Sequence, residues 1–404
     1  MGKLRVFEVI FDGDDIGVFQ SGEVIRGFIK IVLDEAKNDV RGIQIKFVGE
    51  AYTHWSEGSG KDSTSYSGRE VYFKEKVICW GKGKHHVGAS SLSLESGEHH
   101  FPFSFQIPNV PLPFPFESPM GWIRYKVVCK IDRPWKFDHH TERLFTVIGI
   151  PMDLNQMPHA RYPSRAESSK TICCLCCGQG PITTIASTDK GAYVPGQSIF
   201  VSGTVHNNSS RSIVDLAVKL IQIVTYFSSG RSHTTRRTTL VKDKGPGCGA
   251  WEVATMDWKP LVIPSIPPSG PQGCNIIKIE YQIQFVGGIS STNWDAEVIV
   301  PVTIGTIPLH PTSYTDPSAV VIDQPSSIAN VSIVPASPLP SYQVACGGLR
   351  EIPSKSGHDY TFGKLMYAPQ YPTYNLPAQP PSWNPTQPPQ APGSRQAILQ
   401  LTGH

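Results

Sequence analysis

The chain has 404 residues, with 36 basic and 33 acidic side chains that leave a formal net charge of +3. A balance this close gives no electrostatic pull toward nucleic acid, and no nucleic-acid partner is expected. No run of 18 apolar residues is present to cross a membrane as a helix, and 36 glycines with 36 prolines argue against a helical protein.

The first residues, MGKLRVFEVIF, lack the continuous apolar stretch of a signal peptide. The chain is therefore expected to be cytosolic, with its nine cysteines as thiols and the sequons at Asn207, Asn208 and Asn330 unused. Gly2 does not make a myristoylation site, because Val6 stands where Ser or Thr is required. The first long strand runs from Val24 to Leu33, with Ile25, Ile29, Ile31 and Leu33 on one face and Arg26 and Lys30 on the other. Ile43, Ile45 and Phe47 begin the next. Residues 56–70 are polar and rich in Gly and Ser, which reads as a long solvated loop, and strand character resumes from Glu70 to Trp80. A second loop, GKGKHHVGASS, follows.

From His99 to Lys136 the pattern is clearest. Phe101, Phe103 and Phe105 alternate with Pro102, Ser104 and Gln106, as a half-buried strand requires. Prolines 108, 111, 113, 115 and 119 then forbid helix and central strand alike. Ile123, Tyr125, Val127, Cys129 and Ile131 alternate with Arg124, Lys126, Val128 and Lys130 in a second amphipathic strand, and Phe145 to Ile150 closes the unit.

The same order of signals returns downstream. Gly191, Tyr193 and Gly196 match Gly17, Phe19 and Gly22, and DLAVKLIQI matches RGIQIKFVG. Leu261 to Pro271 repeats the proline connection, and Ile277, Ile279, Tyr281, Ile283 and Phe285 repeat the alternating strand. The implied fold is all-β, two tandem immunoglobulin-like sandwiches. Residues 1–155 form the first, 156–172 a polar linker and 173–307 the second. Residues 308–404 hold seventeen of the 36 prolines with few charges and short apolar runs, and are expected to be a disordered tail.

No GxSxG, GxxxxGK or HExxH motif is present, so no catalytic site, cofactor or metal is expected. The doublets His85/His86, His99/His100 and His139/His140 have no carboxylate or cysteine partners at ligand spacing. Cys173, Cys174, Cys176 and Cys177 form two interleaved CxxC pairs without the second pair that zinc requires. Buried small apolar residues at the domain entry, thioacylated or redox-active thiols, and a zinc site all remain open readings.

The runs FPFSFQIP, LPFPFES, GWIRYKVVCKIDRPWK, KTICCLCCGQGPI, AYVPGQSI, CNIIKIEYQIQF and IGTIPLHP, in this order, resemble the α-arrestins, the arrestin domain-containing proteins. The resemblance covers residues 5–310 and implies two arrestin sandwiches in a membrane-recruited adaptor. Such an adaptor joins receptors or transporters to HECT-type ubiquitin ligases, at the plasma membrane and endosomes. Relatives recruit the ligase with PPxY motifs that WW domains grasp as a polyproline helix. The matching residues here are Leu339, Pro340 and Tyr342, and Pro372 and Tyr374 within YPTY, neither a strict PPxY. Pro380 and Pro381 supply both prolines but Trp383 replaces the tyrosine, and Pro311 with Tyr314 keeps one proline. Arg26, Lys30, Lys46, Arg124, Lys126 and Lys130 are candidates for phosphate or membrane-surface contact, if they gather on one sheet. Cys248, in GPGCGAW, resembles a cysteine of the thioredoxin-binding branch, which makes a redox regulator the alternative function.

Overall fold

The computed structural model describes residues 4–13, 17–83, 92–134, 136–174, 177–270, 272–290, 294–310, 350–351, 361–362, 366–374 and 376. The first sandwich contains β1 (Leu4–Phe11), β2 (Val18–Gln20), β3 (Val24–Leu33), β4 (Lys37–Val40), β5 (Gly42–Glu57), β6 (Thr64–Gly81), β7 (Leu92–Leu94), β8 (Gly97–Gln106), β9 (Phe116–Glu117), β10 (Gly121–Asp132) and β11 (His139–Ile148). The second contains β12 (Ser164–Cys174), β13 (Cys177–Thr188), β14 (Ala192–Tyr193), β15 (Ser198–Asn207), β16 (Ile213–Ser228), β17 (Arg231–Cys248), β18 (Val253–Val262), β19 (Ile277–Ile289) and β20 (Asp295–Ile304). Helix is confined, among the described residues, to short 3-10 turns.

Each sandwich pairs two sheets, and the order repeats. Sheet β1-β3-β8 faces β2-β11-β10-β5-β6 in the first, and β12-β13-β15-β18 faces β14-β20-β19-β16-β17 in the second. The short strands β2 and β14 each run parallel to their neighbour, at Val18–Thr146 and Ala192–Thr303. Gly22 and Gly196 adopt φ +82 and +90, a conformation that costs other residues strain, so the matching glycines punctuate matching turns.

The alternation does what its period requires. Ile123, Tyr125, Val127, Cys129 and Ile131 are all fully buried, as are Ile279, Ile283 and Phe285 of the second sandwich. The proline connections lack the N–H groups that a ladder needs, and in each of them a tyrosine serves a buried carbonyl. Tyr125 donates its hydroxyl to the carbonyl of Pro113 at 2.7 Å, and Tyr281 donates to that of Pro267 at 2.8 Å. The duplication extends to this one hydrogen bond.

Two boundaries differ from the sequence reading. The supposed loop over 56–70 is mostly strand, because β5 runs to Glu57 and β6 starts at Thr64. Trp55 stacks on Tyr66 at 5.5 Å between ring centres, and this pair carries a hairpin whose outward residues are serines. The supposed linker 156–172 is strand from Ser164 onward. Its half-buried positions, Ser164, Ala166, Ser168 and Lys170, are small or polar and so conceal the period of two.

The sandwiches meet along a polar seam. Thr53 Oγ1 donates to the carbonyl of Phe227 at 3.0 Å, Tyr226 donates to Ser118 Oγ at 2.9 Å, and the Met152 amide donates to Thr306 Oγ1 at 2.7 Å. The Asn275 amide adds a bond to Glu70 at 2.9 Å.

Candidate functional site: the crease between the sandwiches

Part of the stretch read as a free tail lies on the folded core. Residues 366–374 run across both sandwiches beside the two proline connections. Tyr367 packs on Leu144 and donates its hydroxyl to the carbonyl of Phe145 at 3.1 Å. Tyr371 is only 6% exposed, and its hydroxyl donates to the carbonyl of Pro115 in the first sandwich at 2.8 Å. Its own carbonyl accepts from Ser265 Oγ of the second sandwich at 3.5 Å. Three residues on, the Tyr374 amide donates to the carbonyl of Pro195 at 3.0 Å, and its hydroxyl reaches the carbonyl of Thr306. Tyr374 is half-buried beside Leu154, Ala160, Ala192 and Val194, and this burial pushes its pKa up.

The tail motifs therefore stand differently from one another. Pro372 is half-buried and Tyr374 is seated in the crease, so this motif is not free as the composition implied. Composition describes solvation on average, whereas two tyrosine rings with buried carbonyls to bond outweigh it locally. Leu339, Pro340 and Tyr342 lie outside the described residues, as do Pro311, Tyr314 and Pro380 to Trp383.

The basic candidates do not gather on one sheet. Arg26 and Lys30 lie on β3, while Lys46, Arg124, Lys126 and Lys130 lie on β5 and β10 of the facing sheet. Four are already paired. Lys30 meets Glu98 at 2.9 Å, Arg124 holds Glu117 through two bonds at 2.6 and 2.7 Å, Lys126 meets Glu142 at 2.8 Å, and Lys130 bonds Asp138. Cross-strand neighbours supplied these carboxylates, a pairing that single-strand periodicity does not reveal. Lys46 keeps cationic company instead, facing Lys76 with Lys74 nearby. Burial first, then the charge of Lys74, lower its pKa.

The N-terminal arrestin family model, described as "Arrestin (or S-antigen), N-terminal domain", matches residues 7–155, and the corresponding C-terminal model matches residues 178–309. This chain belongs to the arrestin family. Among curated relatives, arrestin domain-containing protein 17 of Caenorhabditis elegans is 28% identical over 451 residues, covering 93% of this chain and 100% of that protein. Arrestin domain-containing protein 1 of Homo sapiens is 29% identical over 309 residues, 76% of this chain and 66% of the relative. Arrestin domain-containing protein 4 of Mus musculus is 28% identical over 315 residues, 76% of this chain and 73% of the relative. The resemblance read from the sequence and these matches agree on an α-arrestin, with the adaptor role of that fold.

The candidate cysteines that are described lie on β12, β13 and β17 of the second sandwich. Cys174 and Cys177 pair across the β12–β13 hairpin. Cys173 pairs with Gly178, and Cys176 lies outside the described residues. Cys248 ends β17 opposite Ile213. Burial, followed by the carboxylate of Glu252, pushes its thiol pKa up, which is the reverse of what a reactive thiolate needs.

The histidine doublets do not converge either. His99 and His100 lie on β8, His139 and His140 on β11 of the other sheet, and His85 and His86 outside the described residues. His139 is buried, with Nε2 2.9 Å from Arg133, and burial followed by Lys37 lowers its pKa to about 4.

Proposed function

We propose that this arrestin is a cytosolic adaptor, recruited to plasma membrane and endosomes, that joins membrane receptors or transporters to WW-domain HECT-type ubiquitin ligases. The observation that supports this reading is a pair of complete arrestin sandwiches followed by a proline-rich tail with two tyrosine-ended motifs. Tyr342, with Leu339 and Pro340, is the main recruiting motif. Tyr374 with Pro372 is the auxiliary one, 32 residues further on. One degenerate motif alone should bind a WW domain at about tens of micromolar. A ligase with several WW domains meets the second motif at roughly millimolar effective concentration and gains about a hundredfold in avidity.

Calorimetric titration of tail peptides spanning both motifs with tandem WW domains tests this. Tyr342→Ala should remove most of the binding, Tyr374→Ala less, and the double substitution nearly all. A double-alanine peptide that binds as tightly as the parent refutes the motif assignment.

A further inference from the structure

We propose that residues 366–374 form an intramolecular strap that clasps the two sandwiches and withholds Pro372 and Tyr374 from partners; its consequence for ligase recruitment rests on the adaptor reading above. The strap is anchored at three tyrosines in sequence. Tyr367 holds to β11 of the first sandwich through Phe145 and Thr146, and the Gln370 amide adds a bond to Thr146 Oγ1 at 3.3 Å. Tyr371 joins the two bodies, with its hydroxyl on Pro115 and its carbonyl receiving Ser265. Tyr374 then ends on the second sandwich, between Pro195 and Thr306.

The seat has features that fit this segment. The connection from Leu112 to Phe116 is buried, its prolines bring no N–H to a sheet ladder, and the carbonyls of Pro113 and Pro115 accept from tyrosine hydroxyls instead. Tyr125 serves the carbonyl of Pro113, and Tyr371 serves that of Pro115 two residues later, so the tail continues a solution the core already uses. The Tyr371 ring lies 6.4 Å from that of Phe114, centre to centre. Gly196, at φ +90, leaves room for the tail backbone: a Cβ there would overlap the carbonyl oxygen of Tyr374. A residue with a side chain would close the seat.

A partner that grasps a proline-x-tyrosine segment needs the Pro372 face and the Tyr374 ring and hydroxyl. Those groups cannot occupy the crease and a second groove at once. Affinity for the segment in trans is then reduced by the fraction of molecules in which the strap is released. While seated, the strap also ties the first sandwich to the second through a single residue, Tyr371, whose hydroxyl holds one and whose carbonyl holds the other, so release loosens both contacts together.

The test uses the full chain carrying Tyr342→Ala, which leaves the 371–374 motif as the one under study. Hydrogen exchange at the Gln370 and Tyr374 amides, and chymotryptic cleavage after Tyr371 and Tyr374, should run at least about tenfold slower than in a peptide of residues 361–380. Gly196→Ala should bring both rates toward those of the peptide. Tyr371→Phe, which removes one hydroxyl and leaves the left-handed Gly196 turn untouched, should do so in part and guards against a fold defect in the first variant. Titration with a WW domain should then show roughly tenfold tighter binding to Gly196→Ala than to its parent. Exchange and cleavage at peptide rates in the parent overturn the strap. So does tightening absent from a Gly196→Ala chain whose 361–380 peptide does bind. Protection that grows with protein concentration assigns the seat to a second copy's tail and overturns the intramolecular clasp. A peptide that fails to bind any WW domain sinks the ligase reading alone, because exchange and cleavage judge the strap without it.

Discussion

Tyr125 and Tyr281 hold equivalent places in the two sandwiches, yet replacing each by phenylalanine should not cost the same. Tyr125→Phe strands one buried acceptor, the carbonyl of Pro113. An unsatisfied buried group of this kind costs about 1–3 kcal/mol. Tyr281→Phe strands two groups, since the same hydroxyl donates to Pro267 and accepts from Gln222 Nε2 at 2.8 Å. Gln222 is 4% exposed, so water does not readily replace the lost partner. The expected cost at Tyr281 is therefore about twice that at Tyr125. Urea titration of each variant measures the difference through the midpoint, with the slope unchanged. Two sandwiches need not unfold as one transition, so native-state hydrogen exchange in β10 and β19 assigns each loss to its own half. Equal costs at the two sites, or a Tyr281→Phe cost under about 0.5 kcal/mol, would refute the reasoning.

Two further outcomes follow from the first sandwich. His139 lies among Lys37, Arg133, Asp138 and His140, and its pKa falls from the model-compound value of 6.5 to about 4. The unfolded chain takes up this proton near pH 6.5 and the folded chain near pH 4, so the contribution is complete above 6.5 and is lost as pH falls through that window. The loss is at most about 3 kcal/mol, and His139→Phe should flatten this part of a stability profile measured by urea titration at successive pH values. Gly49→Ala would bring a methyl within 2.5 Å of the Phe73 ring and 2.8 Å of the Tyr125 ring. Overpacking of that kind should lower stability by about 1–3 kcal/mol in the same titration, and a neutral result would show that the two rings can separate.

The sequence by itself determined the all-β class, the two repeated halves and their proline connections. These features rest on periodicity along one strand and on prolines and glycines whose backbone limits are local. Ile123 to Ile131 and Ile277 to Phe285 could be placed on inward faces from the chain alone, because alternation is a property of consecutive residues. The hairpin over 64–70 and the edge strand at Ser164 escaped, since serines, threonines and glycines carry no apolar signal even where they pair. Partners across strands were equally hidden. Glu117 beside Arg124, Glu142 beside Lys126 and Asp138 beside Lys130 are choices made by register, and they turn a basic-looking face into a set of ion pairs. The seat of Tyr371 was decided only by tertiary structure. Its acceptor, Pro115, lies 256 residues earlier, and a buried carbonyl with no ladder partner becomes visible only once both sandwiches are folded around it.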